Sequence, residues 1–216
     1  MLRAEAIWLG SVLCAMSDER FPLLNLGSST ESFRVEGQPW IHSEIFAPLE
    51  RKGRAVIHVD SRTAPGVDVV ADLANRADRS RVGQLAYRTI LCSNLLEHLE
   101  QPEIGVEMLL ELSSAGQLLV VSGPLQYPPH PDPIDNGFRG TPDDIAALFG
   151  HQVRVVQSAE LVDQHLARMY VEQSNHGLLS LAAALARPWR DRQLWQTLIR
   201  WGPRRMSASA VVFERI

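Results

Sequence analysis

Several apolar runs in this sequence end in small, acidic or amide residues, which are the types that hold a nucleoside cofactor. The runs at 21–26, 55–59, 67–71 and 89–92 are followed by Gly27-Ser28-Ser29, Asp60, Asp72-Leu73 and Ser93-Asn94, respectively. A turn of small residues lets a ligand approach the backbone closely. A carboxylate can accept hydrogen bonds from both hydroxyls of a ribose, and an acid or amide can reach an adenine amino group. Each residue taken alone is better explained as a helix cap or turn residue, but their joint occurrence in this order predicts a site for an adenosine-containing cofactor.

The elements that must position these residues are strands of a parallel sheet. The four runs, and a fifth at 117–122, largely lack polar alternation, as expected of strands that helices cover on both faces. Between them, residues 94–113 carry apolar side chains at helical spacing, and Thr141-Pro-Asp-Asp is typical of a helix start. This alternation predicts an α/β fold with a doubly wound, mostly parallel sheet, in which ligands bind beyond the carboxyl ends of the strands.

The end of the chain departs from simple alternation. Residues 153–156 and 208–216 are further strand candidates, which brings the sheet to seven strands, and 178–201 is predicted to be helical with a break near Pro188. We therefore expect a single domain over 1–216, with a helical insertion at 177–206 ahead of the last strand. The apolar run at the start is interpreted as a leading amphipathic helix rather than a signal peptide.

Composition excludes several classes of function. The 216 residues carry a formal net charge of −4, so nucleic acid is a poor candidate partner. Lys52 is the only lysine, and its RKGR context suits neither Schiff-base chemistry nor a phosphate-binding loop. Cys14 and Cys92 lie far apart in apolar runs and form no zinc or disulfide pattern, which fits a reducing compartment. We expect a cytoplasmic protein.

Residues 89–149 carry a series of motifs in a specific order: ILCSNLLEHLEQPE, then VEMLLELSSAGQLLVVSGP, then YPPHPDPIDNGFRGTPDDIAALF. This order resembles the second half of the class I S-adenosylmethionine-dependent methyltransferase domain, in the branch that methylates small molecules. LLNLGSSTESFR, VIHVD and VDVVADL are similar to the family's cofactor half through shorter motifs. The resemblance implies a Rossmann-like methyltransferase fold, S-adenosyl-L-methionine as the cofactor, and as its binding residues Gly27, Ser28, Ser29, Asp60, Asp72, Leu73 and Asn94.

The first loop departs from the family pattern, which is usually Asp-x-Gly-x-Gly-x-Gly. This chain has NLGSSTE and keeps only the first glycine. Ser29 adds a side chain where backbone normally lies against the methionine part of the cofactor. Glu31 brings a carboxylate near the cofactor's own, which is repulsive unless it points away, and Asn25 offers no charge to the cofactor's amino group. We expect weakened cofactor binding or a rerouted loop.

Candidate catalytic residues are those able to take a proton from the methyl acceptor. His98 comes first because imidazole titrates near neutrality; the alternative is a helix-surface histidine bonded to Glu97. His130 and Asp135, together with Asp132, lie in a proline-rich loop that can close over substrate. The alternative is that its acids make only turn hydrogen bonds.

A metal site is suggested by the spacing of Asn94, Glu97 and His98. Ubiquinone-type O-methyltransferases of this family use an acid, a Glu and a His at that spacing. Here Asn94 stands in the place of the first acid, and we therefore expect no metal.

The insertion is basic and rich in tryptophan. Residues 187–206 contain six arginines and three tryptophans against one acid, Asp191. A helix of this kind can lie on an anionic membrane surface, and a lipid-linked acceptor would then fit. By default, it is a core-facing helix with a solvated arginine face.

Three functions compete. The leading hypothesis is methyl transfer to a small molecule or glycan, at oxygen. The alternative is a catalytically inactive relative that keeps the fold as a binding or assembly module, which the altered glycine loop favours. A nicotinamide oxidoreductase is disfavoured because Gly-x-Gly-x-x-Gly and Tyr-x-x-x-Lys motifs are missing. A homo-oligomer remains open as a further partner.

Overall fold

The computed structural model describes residues 1–130, 134–174 and 176–216. Its strands are β1 Leu23–Leu26, β2 Val56–Asp60, β3 Val69–Val70, β4 Thr89–Ser93, β5 Leu118–Gln126, β6 Val153–His165 and β7 Arg205–Arg215. They form one seven-stranded sheet in the order β3-β2-β1-β4-β5-β7-β6. The pairs among β1 to β5 are parallel, whereas β7 runs antiparallel between β5 and β6. The predicted α/β fold with a mostly parallel, seven-stranded sheet is confirmed.

Helices cover both faces of the sheet. They are α1 Arg3–Ala15, α2 Pro39–Ile41, α3 Ala47–Arg51, α4 Arg76–Gly83, α5 Pro102–Leu112, α6 Pro142–Phe149, α7 Leu166–Gln173, α8 Leu178–Ala186 and α9 Arg192–Trp201. Two π-helical segments, Phe33–Gly37 and His42–Phe46, make the region around α2 and α3 almost continuously helical. α1 and this segment pack on one face of the sheet, and α4, α5 and α6 pack on the other. The leading helix is therefore present.

The core explains why the strand sequences lack polar alternation. In β4, Ile90 and Cys92 belong to the cluster on one face and Leu91 to the cluster on the other, and all three are almost completely buried. Burying one such aliphatic side chain contributes about 1.5–3 kcal/mol. Because both faces of β4 are covered, the strand is held firmly, and its carboxyl end fixes the position of Asn94, the next residue.

The predicted helix over 94–113 is interrupted. Asn94 has a left-handed backbone with φ of 50°, and a short 3₁₀ turn, Leu96–His98, follows it. α5 begins only at Pro102, a residue favoured at the first helical position because its missing N–H is not needed there. The regular apolar spacing gave no sign of this break. Because of it, Glu97 and His98 lie in the 3₁₀ turn at the end of β4 and not within α5.

Three helices, α7 to α9, connect β6 to β7. β6 extends well beyond the predicted 153–156, and helix begins at Leu166, ahead of the predicted start of the insertion at 177. The expected break near Pro188 separates α8 from α9. Among the described residues, none of the helices is both long enough and apolar enough to cross a bilayer.

Candidate functional site

A cavity of about 510 Å³ opens at the carboxyl ends of the central strands. Its volume lies within the roughly 300–1,000 Å³ of small-molecule sites. The predicted site residues that line it are Gly27, Ser28, Ser29, Asp60, Asp72, Leu73, Asn94, His98 and His130. Asp135 lies behind His130 rather than in the lining, and Asp132 lies outside the described residues. The fold thus brings the strand-end residues to one place, while their roles stay predictions.

The loop after β1 is held by an arginine. Arg34 is buried, and its Nη1 donates to the carbonyl oxygens of Ser28 at 2.9 Å and Ser29 at 2.7 Å. Its Nη2 donates to the carbonyl oxygen of Gly66 at 2.8 Å, which ties the loop to the β2–β3 connection. Ser29 has a left-handed φ of 56°, which disfavours a residue with a side chain by about 1–2 kcal/mol. Arg34 therefore offsets strain that glycine would not have.

Asp60 ends β2 with a nearly buried carboxylate. Its Oδ2 accepts from the Ser29 backbone N–H at 2.8 Å, and its Oδ1 accepts from the backbone N–H and Nε of Arg62. A carboxylate has about four acceptor positions, so binding both hydroxyls of a ribose requires the Arg62 side chain to leave. That side chain is 68% exposed and can turn into solvent.

The acid and leucine after β3 have mixed roles. Asp72 is exposed; its Oδ1 accepts from the Ala74 backbone N–H at 3.0 Å, which is the turn hydrogen bond of the alternative interpretation. Leu73 packs against the buried cluster on the α4–α6 face. Both residues still line the cavity. The turn hydrogen bond of Asp72 therefore does not prevent its carboxylate from also contacting a bound ligand.

Two departures in the first loop have local explanations. Glu31 is exposed, lies outside the cavity lining and donates its backbone N–H to the carbonyl of Pro65, so it does not crowd a ligand carboxylate. Asn25 is buried, and its Nδ2 donates to His58 Nδ1 at 3.0 Å. Burial, followed by the charge of Arg34, lowers the pKa of His58 to about 4, which keeps the ring neutral and able to accept.

A buried acid from α1 enters the site, and sequence reasoning missed it. Glu5 is fully buried and lines the cavity. Its Oε1 accepts from Asn94 Nδ2 and from Ser122 Oγ, both at 2.7 Å, and its Oε2 accepts from the Leu2 backbone N–H at 3.1 Å. The signal in the sequence was an acid four residues before Leu9, on the apolar stripe of the leading helix. Asn94 thereby turns its amide nitrogen toward Glu5.

His98 and His130 line the far end of the cavity, and the buried side chain of Glu97 lies beside them without lining the cavity. His98 Nδ1 donates to the Ile134 carbonyl at 2.6 Å, which leaves Nε2 as the acceptor, 3.9 Å from Glu97 Oε1. Glu97 is 1% exposed, and neither carboxylate oxygen accepts a hydrogen bond from any described residue. Burial, with a smaller effect of Glu5, raises the pKa of Glu97 to about 7.

The loop after β5 is anchored so that His130 faces His98. Asp135 accepts from the His130 backbone N–H at 2.8 Å and from Arg139 Nη2 at 2.7 Å. Burial opposes ionisation of Asp135, but hydrogen bonds from Arg139 and from backbone N–H groups prevail and lower its pKa. The rings of His98 and His130 meet edge to face at 5.2 Å. Asn136 Nδ2 donates to the carbonyls of Leu96 and Leu99, which fastens the loop to the 3₁₀ turn.

This cluster also has the composition of a cation site. Ligand atoms of Glu97, His98 and His130 all lie within 4.8 Å of one another. One carboxylate and two imidazoles suit a divalent transition metal. The third ligand of this cluster is therefore His130, a second imidazole, and not Asn94 as the sequence spacing suggested.

Comparisons with known proteins bear on the fold. No family model and no curated protein matches the sequence. Coclaurine N-methyltransferase bound to N-methylheliamine and SAH superposes with a TM-score of 0.57 at 16% identity, covering 97% of this chain and 72% of that chain. MccD protein gives 0.52 at 9% identity, covering 98% and 96%. A protein assigned as a sarcosine dimethylglycine methyltransferase from Galdieria sulphuraria gives 0.50 at 10% identity, covering 97% and 84%. At these identities the likeness shows the fold alone.

Proposed function

We propose that this chain, which has the fold of class I S-adenosylmethionine-dependent small-molecule methyltransferases, transfers a methyl group from that cofactor to a small molecule or glycan, at oxygen. The observation that carries the proposal is that residues from four separate strand ends, Gly27, Asp60, Asp72 and Asn94, line a single cavity. Parallel sheets bind ligands at this edge.

The cofactor half of the cavity has the groups that an adenosyl ligand needs. Gly27, with φ of 65°, opens the loop, and a Cβ there would come within 3.1 Å of a Leu95 side-chain carbon. Asp60 would accept the ribose hydroxyls once Arg62 has moved aside. When bound, S-adenosyl-L-methionine supplies the electrophilic methyl group, and the protein supplies alignment.

The acceptor half has a base and a group that stabilises its protonated form. His98 lines the cavity, and its Nε2 is free to accept a hydrogen bond when Nδ1 donates to Ile134. Nε2 can therefore take the proton from a hydroxyl group of the substrate that is to be methylated. The Glu97 carboxyl, 3.9 Å away, stabilises the resulting imidazolium when it is ionised. His130, positioned by Asp135, is the second candidate base.

Titration calorimetry with S-adenosylhomocysteine tests the cofactor site. We expect the wild-type chain to bind and Asp60→Ala to bind at least about tenfold more weakly, since a hydrogen bond to a charged group contributes roughly 1.5–3 kcal/mol. Asp143→Ala, an exposed acid on α6, is the matched control and should bind like the wild type. A wild-type chain that is folded yet shows no binding at millimolar ligand would refute the proposal.

That same result would support the alternative, an inactive relative that serves as a binding or assembly module. Its structural basis is the loop of Ser28 and Ser29. Both carbonyl oxygens of this loop already accept hydrogen bonds from Arg34, and the Ser29 N–H already donates to Asp60. A loop saturated by its own chain has fewer groups to offer a ligand.

A further inference from the structure

α8 presents an apolar face to solvent. Its sequence, LLSLAAALA, contains no charged residue. The exposed positions have the spacing of one helical face, and they are Leu178, Leu179, Ala182, Leu185 and Ala186. Leu178 is 72% exposed and Leu179 75%. Trp189, in the turn that follows, is 79% exposed. A contiguous exposed apolar surface of this kind marks a site of association.

α9 packs inward beside α8. Its own apolar side turns inward, where Leu198 is buried and Trp201 packs against the cluster of Leu2 and Met206. Trp195 Nε1 donates to the carbonyl of Leu185, which fixes α8 against α9. The basic helix singled out in the sequence is thus an inward-packing support, and the exposed apolar surface belongs to α8 and Trp189.

The charges around this face are positive. Arg187, Arg190 and Arg192 follow α8 directly, are exposed, and form no ion pair with any residue that the structure describes. The chain as a whole carries a net charge of −4, so this concentration of arginine at one end is not a general property of its surface. An apolar face with an arginine border is complementary to an anionic interface.

We propose that α8 and Trp189 dock on an anionic lipid bilayer, with the apolar face at the level of the acyl chains and the arginines among the headgroups. At about 1.5 Å per residue, the nine residues of α8 are much shorter than the roughly 30 Å thickness of the hydrocarbon core. The helix therefore lies along the bilayer surface and does not span the bilayer. The proposal concerns a surface separate from the cavity and does not depend on methyl transfer.

Vesicle co-sedimentation of the full chain tests the docking surface. We expect binding to phosphatidylcholine vesicles that contain phosphatidylglycerol and little binding to phosphatidylcholine alone. The double variant Leu178→Asp, Leu179→Asp should lower the partition coefficient by on the order of a hundredfold. Each substitution removes a leucine side chain that would enter the bilayer and adds a negative charge that the anionic surface repels. Ile7→Asp, at a residue 49% exposed on α1, is the matched control and should leave binding unchanged.

Two further readouts distinguish the occupant. Arg187→Ala should weaken binding to the anionic vesicles by about fivefold at low salt without affecting the thermal midpoint of the protein. The tryptophan emission of the chain should shift to the blue on anionic vesicles, and Trp189→Phe should remove that shift. Absence of wild-type binding, or equal binding to neutral vesicles, overturns the proposal. So does a concentration-dependent dimer abolished by the leucine variant, which would assign the face to a second copy of the chain.

Discussion

Replacing Glu97 by glutamine should change how the free energy of unfolding depends on pH. Glu97 is almost completely buried, and its pKa of about 7 in the folded chain compares with an ordinary value of 4.5. Between these pH values the folded state binds more protons at Glu97 than the unfolded state does. The contribution of Glu97 is therefore fully present below pH 4.5 and is lost as the pH rises through about 7. Since one pKa unit corresponds to about 1.4 kcal/mol, the loss amounts to roughly 3 kcal/mol.

A second buried group has the opposite sign and must be separated from Glu97. The pKa of His58 is lowered from 6.5 to about 4, first by burial and then by Arg34. Between these values the unfolded chain binds more protons at His58, so stability rises with pH. In the wild-type chain the two effects partly cancel between pH 4.5 and 6.5. Only the difference between the wild type and a Glu97 variant isolates the Glu97 carboxyl.

The measurement is urea unfolding of the wild type and Glu97→Gln at pH 5, 6, 7 and 8. Relative to the wild type, the variant should gain about 2.5 kcal/mol between pH 5 and pH 8, since part of the total effect has already occurred at pH 5. Glu103→Gln, an exposed glutamate on α5, should follow the wild type throughout. If the Glu97→Gln difference stays constant over this range, Glu97 is hydrated or paired in solution, and the reasoning that gives it a pKa near neutrality is refuted.

Three other substitutions probe the loop and the acceptor end. Arg34→Met should lower the free energy of unfolding by roughly 3 kcal/mol, because three carbonyls lose a charged donor. In the same urea assay, Arg51→Met, at an exposed residue, should change the free energy of unfolding little. Equal effects of the two substitutions would contradict the role of Arg34. Ser29→Gly removes the side chain from a left-handed backbone and should tighten S-adenosylhomocysteine binding in calorimetry, whereas weaker binding would mean that the Ser29 side chain contributes contacts. His98→Gln should lower kcat for an identified acceptor by on the order of a hundredfold with an unchanged S-adenosylhomocysteine Kd, and a parallel loss of affinity would argue against a base.

The strand ends could be predicted from the sequence because burial on both faces of a parallel strand leaves a direct mark on composition. The runs before Gly27, Asp60 and Asn94 lie within one residue of the observed strand ends, and the cavity follows from the sheet order. The break after β4 could not be predicted in this way. Apolar spacing from 94 to 113 is the same whether or not the helix is interrupted. Asn94, which has the left-handed backbone, is held by a tertiary hydrogen bond to Glu5 that no local pattern reveals.

Long-range pairing was the main part of the site that the sequence concealed. Glu5 and Asn94 are 89 residues apart, and Glu5 and Ser122 are 117 apart. No local pattern links such residues, because their meeting depends on where α1 crosses the sheet edge. His130 was predicted as a candidate base, but its position beside Glu97 and His98 could not be predicted for the same reason, because it comes from the loop after β5.

The position of Glu5 changes how the substitution at Asn25 should be interpreted. A neutral residue there removes a negative charge from the first loop, which on sequence grounds weakens the attraction for a positively charged cofactor. Glu5 adds a carboxylate to the same cavity from α1, and among the described residues its hydrogen bonds come from neutral donors only. A buried carboxylate without a cationic partner favours binding of a positively charged ligand, since that ligand supplies the missing counter-charge. The loss at Asn25 is therefore no sufficient argument for an inactive relative, and the decision between enzyme and inert module falls to the space around Ser29.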